Sequence, residues 1–327
     1  MVDFVGFIVL LVLLALFVWL FLRALSSKNA ILKWVGLVLT GLLSLVLVVG
    51  FVAAVLGTLK LNTNYNADHP AATLKVAGTP EQIKRGEKIT QVCGCHMKEG
   101  THELSGNNFL APGPDGNSPP PLGNLYARNL TPGGELKDWT DGEIIRAIRE
   151  GVHKSGRSLI IMPAEVFRHL SDEDVQSVVA YLRSVPAVTP DAPANNLNIA
   201  GALFLNMVPF QTVQPHITQP VARVAEGTTA EYGKYITTII CIACHGDNLA
   251  GGLPGGGPVG PNLTAIVPKW SQADFVKLIR TGTLPDGTKV SAGMPWEEIS
   301  KFATDDDVTA LYNYIHGLTA LPNNTPK

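Results

Sequence analysis

The sequence predicts an all-α protein: an N-terminal two-helix transmembrane hairpin followed by two tandem domains built on one helical plan. Three observations lead there. Two uncharged apolar runs fill most of the first sixty residues. The remainder repeats its helix-start and helix-stop signals at a nearly constant spacing, and strand-like alternation is scarce throughout. A chain of 327 residues has room for two or three domains. Its formal net charge of −2 argues against a nucleic-acid partner.

The first run, residues 4–22, is 19 residues long, and the second, 34–59, is 26. A bilayer core of about 30 Å needs about 20 apolar helical residues, so both can span it. Arg23, Lys28 and Lys33 lie in the short connection, whereas Asp3 flanks the outer end of the first run. The positive-inside rule therefore places the connection in the cytoplasm, and the N-terminus and everything after Lys60 on the outer face. The competing reading of the first run is a cleaved signal peptide. Its start carries no positive charge and no A-x-A site follows closely, so an anchor is expected.

Beyond residue 80 the chain reads as two copies. Trp139-Thr140-Asp141-Gly142-Glu143 opens an amphipathic run ending at Gly151, and Trp270-Ser271-Gln272-Ala273-Asp274 opens another ending at Gly282. Each start is a capping box and each glycine a helix stop. Asn129-Leu130-Thr131 recurs as Asn262-Leu263-Thr264, Met162-Pro163 as Met294-Pro295, and Ser171-Asp172-Glu173-Asp174 as Thr304-Asp305-Asp306-Asp307. The offsets all lie between 131 and 133 residues. Each copy also has an earlier helix: one starts at Thr79-Pro80, the other near Thr229, with Gly86 and Gly233 inside them. A mid-helix glycine costs about 1 kcal/mol relative to alanine, so a packing reason is expected. Close crossing against the terminal helix and its tyrosine, Tyr181 or Tyr314, supplies one. The expected boundaries are an anchor over 1–60, a linker over 61–79, domains over 80–186 and 227–321, a connector over 187–226 and a frayed tail over 322–327. Leu203, Phe204, Leu205, Met207 and Phe210 need burial, so the connector is expected to be extended but ordered.

Cys241-Ile242-Ala243-Cys244-His245 carries the chemistry. C-x-x-C-H is the c-type haem attachment signature: each thiol can form a thioether to a haem vinyl group, and the histidine follows in place to bind iron. A methionine is a common second axial ligand and raises the potential. Met294 offers one downstream. C-type haem is attached on the outer face of the bacterial membrane, which agrees with the topology. All four cysteines fall in this motif and in Cys93-Gly94-Cys95-His96, leaving none for a structural disulfide.

On these residues the chain resembles membrane-bound di-haem cytochromes c with two class I-type domains. Asn129-Leu130-Thr131-Pro132 and Met162-Pro163, followed by Leu170-Ser171-Asp172-Glu173-Asp174, are similar to the cytochrome subunits of membrane alcohol and gluconate dehydrogenases. An anchor followed by two c domains also resembles the di-haem subunit of cbb-type haem-copper oxidases. The resemblance implies two haem c groups. In the second domain Cys241 and Cys244 hold the haem, with His245 proximal and Met294 distal, and the Pro261 carbonyl accepts a hydrogen bond from the proximal imidazole. In the first domain Cys93 and Cys95 are the attachment positions and His96 and Met162 the axial pair. Pro120 or Pro121 corresponds to Pro261 on a looser match.

The first motif departs from the pattern. Cys93-Gly94-Cys95-His96 has one residue between its thiols, and the step from Gly86 to His96 is two residues shorter than that from Gly233 to His245. Positions i and i+2 do not face each other on a helix, so Cys93 reaches a vinyl only from an extended backbone. Three readings stand: a haem with two thioethers, a haem held by Cys95 alone, and no haem.

Other candidates have plainer readings. Met97 and Met207 are expected as core filler. His69, His102, His153, His169, His216 and His316 lack an attachment motif and are expected at the surface or as caps, with His102 and His153 as reserve ligands. Trp139, Trp270 and Trp296 are expected to pack helices, and the acidic clusters at 172–174 and 305–307 to complement helix dipoles. Outside residues 1–60 the chain carries 26 acidic and 21 basic side chains, a mild acidity that identifies no partner. The expected function is single-electron transfer, not catalysis, by a subunit of a respiratory or photosynthetic complex in a bacterial cytoplasmic membrane. Its partners are other subunits of a membrane oxidoreductase complex, redox donor and acceptor proteins, and the bilayer. A di-haem peroxidase, which needs an open sixth position, and a haem-based sensor or structural subunit are the alternatives.

Overall fold

The computed structural model describes residues 4–91, 94–98, 101–108, 122–207, 213–252, 260–291 and 293–324, except for the side chains of 205–207. The helices follow in chain order: α1 (Phe4–Leu25), α2 (Ala30–Asn62), α3 (Pro80–Thr90), α4 (Asp141–Glu150), α5 (Ala164–Phe167), α6 (Asp172–Ser184), α7 (Ile199–Met207), α8 (Ala230–Ile240), α9 (Ile242–His245), α10 (Leu263–Ile266), α11 (Gln272–Thr281), α12 (Trp296–Phe302) and α13 (Asp305–His316). Strand structure among the described residues is confined to short antiparallel pairs. β1 (Asn107–Asn108) pairs with β3 (Tyr126–Ala127), and β2 (Gly123–Asn124) with β4 (Asn196–Leu197). The chain divides into two compact units. One contains the described residues within 1–63, 106–128 and 192–209; the other contains those within 64–105, 129–191 and 210–327.

In the first unit, α1 and α2 are both long and apolar enough to cross a membrane. Asn29 starts α2 by accepting from the backbone N–H of Ile31 and Leu32, at 3.0 and 3.2 Å. Small residues let the pair close up: a Cβ on Gly36 would lie 3.0 Å from the Ala24 Cβ, and one on Gly41 3.3 Å from the Phe21 ring. Phe7 meets Phe51 edge-on, with ring centroids 5.7 Å apart.

Residues 187–226 are not simply extended, as their composition predicts. Ile199–Met207 is helical and packs on α2 and α1. The Ile199 side chain occupies the space beside Gly6, where a Cβ would sit 2.7 Å from it. Leu203 is half-buried, whereas Phe204 remains 39% exposed. The segment is apolar apart from Asn206, so it carries no amphipathic period that separates a short helix from a buried coil. The side chains of Leu205 and Met207, and Phe210, lie outside the described residues.

The second unit contains the repeated plan. Thr140 and Ser271 cap α4 and α11 with reciprocal capping boxes, and Gly151 and Gly282 end them at φ 70° and 61°. Isolated bridges, Val152–Ser158 and Thr283–Lys289, follow in register. The Asn-Leu-Thr repeat is a clamp. Asn129 Nδ2 donates to the Val188 carbonyl at 2.9 Å, and Asn262 Nδ2 to the Leu321 carbonyl at 2.8 Å. Thr131 Oγ1 accepts from the Val188 N–H, and Thr264 Oγ1 from the Leu321 N–H. Each copy thereby ties the chain leaving its last helix back to its own loop.

The helix glycines have the packing reason the sequence suggests. A Cβ on Gly86 would lie 1.8 Å from the Ser177 carbonyl oxygen and 2.8 Å from the Tyr181 Cβ. The same atom on Gly233 would lie 1.9 Å from the Ala310 oxygen and 2.9 Å from the Tyr314 Cβ. Thus α3 crosses α6, and α8 crosses α13, at backbone contact.

The two copies share a core. Val166, Phe167, Leu170 and Val175 of the first belong to one buried cluster with Tyr232, Ile236, Val308 and Leu311 of the second. A separate cluster within the first copy includes Leu136, Trp139, Ile144, Val179 and Leu182. Polar bonds between the copies have approximate two-fold symmetry. With α3 and α8 aligned on their glycines, Arg85 corresponds to Tyr232 and Lys88 to Tyr235. Arg85 holds Asp174 of its own copy through Nε and Nη2, at 2.8 and 2.9 Å, while Tyr232 donates to Asp307 of its own copy at 3.0 Å. Lys88 reaches across to Asp307 at 2.8 Å, and the Tyr235 hydroxyl reaches across to Asp174. The acids at the starts of α6 and α13 therefore do more than complement helix dipoles. Asp174 and Asp307 are buried bridges between copies.

Two other expectations need correction. The segment counted as linker is bound within this unit: Tyr65 N–H donates to the Gly156 carbonyl, and Val76 N–H to Asp141. The tail is held as far as Asn324, whose N–H donates to the Ala250 carbonyl at 3.0 Å and whose side chain donates to Gly251. Residues 325–327 lie outside the described residues.

Candidate haem-binding site

Cys241 ends α8, and Cys244 and His245 occupy the single turn α9. The His245 carbonyl accepts from Gly251 N–H at 3.0 Å, while Gly260 N–H donates to the Cys244 carbonyl at 2.8 Å, so two glycines fasten the motif from its C-terminal side. The Pro261 carbonyl lies 2.8 Å from His245 Nδ1. That bond assigns the proton to Nδ1 and leaves Nε2 as the free donor atom for a metal. Gly260 gives the imidazole its room: a Cβ there would lie 2.6 Å from Nδ1 and 2.9 Å from the Cys244 oxygen.

His245 is 8% exposed. Burial holds its pKa below the ordinary value, and the bond to Pro261 offsets only part of that shift. The neutral imidazole is the form that binds iron. Burial, helped by neighbouring Cys244, pushes the Cys241 thiol up to about 12; Thr237 acts in the opposite sense. Burial also raises Cys244. Both residues are half-buried with thiols held above their ordinary range, unlike exposed low-pKa nucleophiles. Cys241 and Met294 border the same core cluster. The donor set and the glycine cradle fit a haem c held by two thioethers and an imidazole.

The methionines of the two copies occupy one kind of turn. The Met162 carbonyl accepts from Ala164 N–H at 2.8 Å, and the Met294 carbonyl from Trp296 N–H at 2.8 Å. The intervening prolines have nearly equal dihedrals, φ −79° and ψ 60° at Pro163 and φ −80° and ψ 53° at Pro295. Both side chains are half-buried beside the shared core. In the first copy, Gly94–His96 forms a 3₁₀ turn in which Cys95 is exposed and His96 half-buried. Cys93, Pro120 and Pro121 lie outside the described residues.

Comparison with known sequences decides the class of the second copy: residues 228–315 match the family model described as "Cytochrome C oxidase, cbb3-type, subunit III". This segment is a cytochrome c domain. Longer stretches of the chain are similar to proteins of dehydrogenase complexes. A nicotinate dehydrogenase subunit of Pseudomonas putida is 28% identical over 306 residues, covering 84% of this chain and 24% of that protein. The cytochrome c subunit of alcohol dehydrogenase (quinone) from Gluconacetobacter polyoxogenes is 30% identical over 239 residues, covering 62% and 49%. The gluconate 2-dehydrogenase cytochrome c subunit of Pantoea cypripedii is 27% identical over 279 residues, covering 73% and 60%. The chain thus spans 24% to 60% of the length of these relatives.

The reserve ligands fare differently from expectation. His153 is engaged at both ring nitrogens, Nδ1 by Ser155 Oγ and Nε2 by Glu135, each at 2.8 Å, and its ring meets Trp139 edge-on. That leaves no nitrogen for iron. His102 is exposed. His69 is buried and His216 half-buried, and both bond to Glu150. Sequence reasoning missed this trio, whose members are separated by 81 and 66 residues and form no motif. Gly260 is part of the Gly260-Pro261-Asn262-Leu263 segment that carries the resemblance, but its role in making room for the imidazole is visible only in the fold.

Replacing Gly260 by Ala is expected to displace the imidazole of the cytochrome domain while leaving α8 and α13 folded. The checks are the absorption spectrum of the reduced protein, which should lose or shift the contribution of this haem, and far-ultraviolet circular dichroism, which should stay unchanged.

Proposed function

We propose that the chain is a membrane-anchored di-haem cytochrome c. It transfers single electrons on the outer face of a bacterial cytoplasmic membrane, as the cytochrome subunit of a membrane dehydrogenase or a related respiratory complex. The His245–Pro261 bond beside the C-x-x-C-H turn carries the reading. It presets an imidazole with one free nitrogen before any ligand arrives. A bound haem c supplies a one-electron couple at its iron. The protein's part is to hold Cys241 and Cys244 on one turn, fix the His245 ring, and place Met294 on an apolar wall that keeps water away.

The first copy is assigned the second haem, with His96 and Met162 as axial ligands. The repeated Met-Pro turn supports this assignment. Because Gly94–His96 is a 3₁₀ turn, the extended backbone that a Cys93 thioether needs is not met at Gly94 and Cys95. Attachment through Cys95 alone is therefore the favoured reading. The hairpin and the cationic connection between its helices support an outer location for both copies. The names of the similar dehydrogenase subunits support a dehydrogenase partner.

Intact-mass and peptide mass spectrometry test the proposal. Two haem masses are expected, with both Cys241 and Cys244 modified and only Cys95 modified in the first motif. One haem mass would reject the di-haem reading. Replacing Met294 by Ala is expected to abolish the methionine-to-iron absorption band and lower one of two midpoint potentials. An unchanged redox titration would reject Met294 as ligand.

A further inference from the structure

We propose that His69, Glu150 and His216 form a binding site for a divalent metal ion of the zinc type, separate from both haem motifs. Their ligand atoms all lie within 4.8 Å of one another. His69 Nδ1 is 2.8 Å from one Glu150 carboxylate oxygen, and His216 Nδ1 is 2.9 Å from the other. Two imidazoles and one carboxylate are the donor set that zinc accepts when it keeps an open position.

The spacing is close to what an ion needs. Metal–ligand bonds of about 2.0–2.2 Å put neighbouring tetrahedral ligands about 3.3 Å apart. The two His–Glu contacts are within about half an ångström of that spacing, and side-chain torsions that draw the two imidazoles together from within 4.8 Å, with the two Nδ1 protons moving off, convert the shared-proton arrangement into a coordinated one. The backbone is already held for this. His69 N–H donates to the Tyr65 carbonyl, and the Arg146 guanidinium donates to the His69 carbonyl at 2.8 Å. Ile217 N–H donates to a Glu150 oxygen at 3.1 Å, an outer-shell bond that fixes a ligating carboxylate. Glu150 and His216 also line a cavity of about 250 Å³, shared with Arg146, Arg149 and Asp172, which has room for a fourth, water ligand.

Burial makes the site more than an accidental cluster. Glu150 is 5% exposed and His69 7%. A carboxylate at the last residue of α4 stands at the negative end of the helix dipole, where a nearby cation is favoured. Glu150 corresponds by the repeat to Thr281, so the second copy lacks this trio. The ion would join three separated stretches: residues just before α3, the end of α4, and the connector that leads to α8. Its role is structural, since binding the folded arrangement alone stabilises it.

The test uses the full-length haem-loaded protein in detergent, stripped with a chelator, then exposed to zinc chloride and gel-filtered. About one zinc per chain is expected by mass spectrometry of the elements, with X-ray absorption showing two imidazoles and an oxygen near 2.0–2.1 Å. The melting temperature is expected to rise with zinc. In His216→Gln, whose side chain is half-exposed and therefore tolerates the change, zinc affinity is expected to fall at least about tenfold and the zinc-dependent shift to vanish. A His69→Gln/His216→Gln variant gives the same readout more strongly if it folds. Failure of the wild type to retain zinc overturns the proposal. So does equal retention by His216→Gln, which would place the ion on exposed histidines, or a melting temperature that ignores zinc.

Discussion

Replacing Gly233 by Ala is expected to destabilise the protein by on the order of 3 kcal/mol or more, despite alanine's better helix propensity. Propensity alone favours alanine by about 1 kcal/mol in a helix interior. Against it stands a methyl carbon 1.9 Å from the Ala310 carbonyl oxygen, a backbone atom that cannot rotate away. To admit it, α8 and α13 must separate, and the shared cluster around Tyr232, Val308 and Leu311 opens with them. Cys241 follows α8 directly, so haem retention in the cytochrome domain should fall in parallel. Thermal unfolding by circular dichroism and haem content per chain check this outcome. A variant as stable as wild type would show that the helix crossing is looser than described. Gly86→Ala should act in the same direction on α3 and α6.

Replacing Asp174 by Ala is the second large effect, on the order of 3–5 kcal/mol. Asp174 is 1% exposed; its carboxylate accepts from Arg85 and from the Tyr235 hydroxyl, while its backbone N–H donates to Ser171 Oγ at the start of α6. Removing the carboxylate leaves the mostly buried Arg85 guanidinium with the half-exposed Glu226, bonded through Nη1, as its remaining charged partner. A double replacement, Arg85→Met with Asp174→Leu, should recover much of the loss, because an apolar pair leaves no charge unpaired. Denaturant titration of the single and double variants distinguishes a stranded charge from simple loss of packing.

The same carboxylates give a pH dependence with a definite sign. Burial alone would raise Asp174, but the Arg85 bonds and charge, with Tyr235 and Arg223, outweigh it and hold the carboxyl below its ordinary range. Asp307 is likewise held low against burial, by Lys88 and its Thr304 cap. A carboxylate depressed in the folded state stabilises fully above its unfolded value, near ~3.9, and loses that contribution as pH falls through the folded value. Cohesion between the copies should therefore be steady at neutral pH and weaken below about pH 4. Melting temperatures across about pH 3–7 should show a steeper acid decline in wild type than in Asp174→Asn, whose site no longer titrates.

Much of this architecture is written in short-range signals. The hairpin follows from uncharged length, and α4 and α11 follow from capping boxes and terminal glycines that need only three or four neighbouring residues. Cys241 to His245 spells out its attachment chemistry within five positions. Gly86 and Gly233 even announced their crossing partners, because a mid-helix glycine has a local cost that only a tertiary contact offsets.

Other features could not be read locally. The apolar stretch Ile199–Met207 lacks a period, so only its packing on α1 and α2 decides that it is helical. Asp174 and Asp307 look like ordinary helix-start acids, and their partners Tyr235 and Lys88 stand 61 and 219 residues away. His69, Glu150 and His216 look like three unrelated polar residues until the fold brings them together. The sequence by itself carried the two long apolar runs, the recurring cap and glycine signals and the C-x-x-C-H signature, since each is written in a few neighbouring residues. Only the tertiary structure decided which distant charges and imidazoles meet, because burial and direction depend on the whole fold.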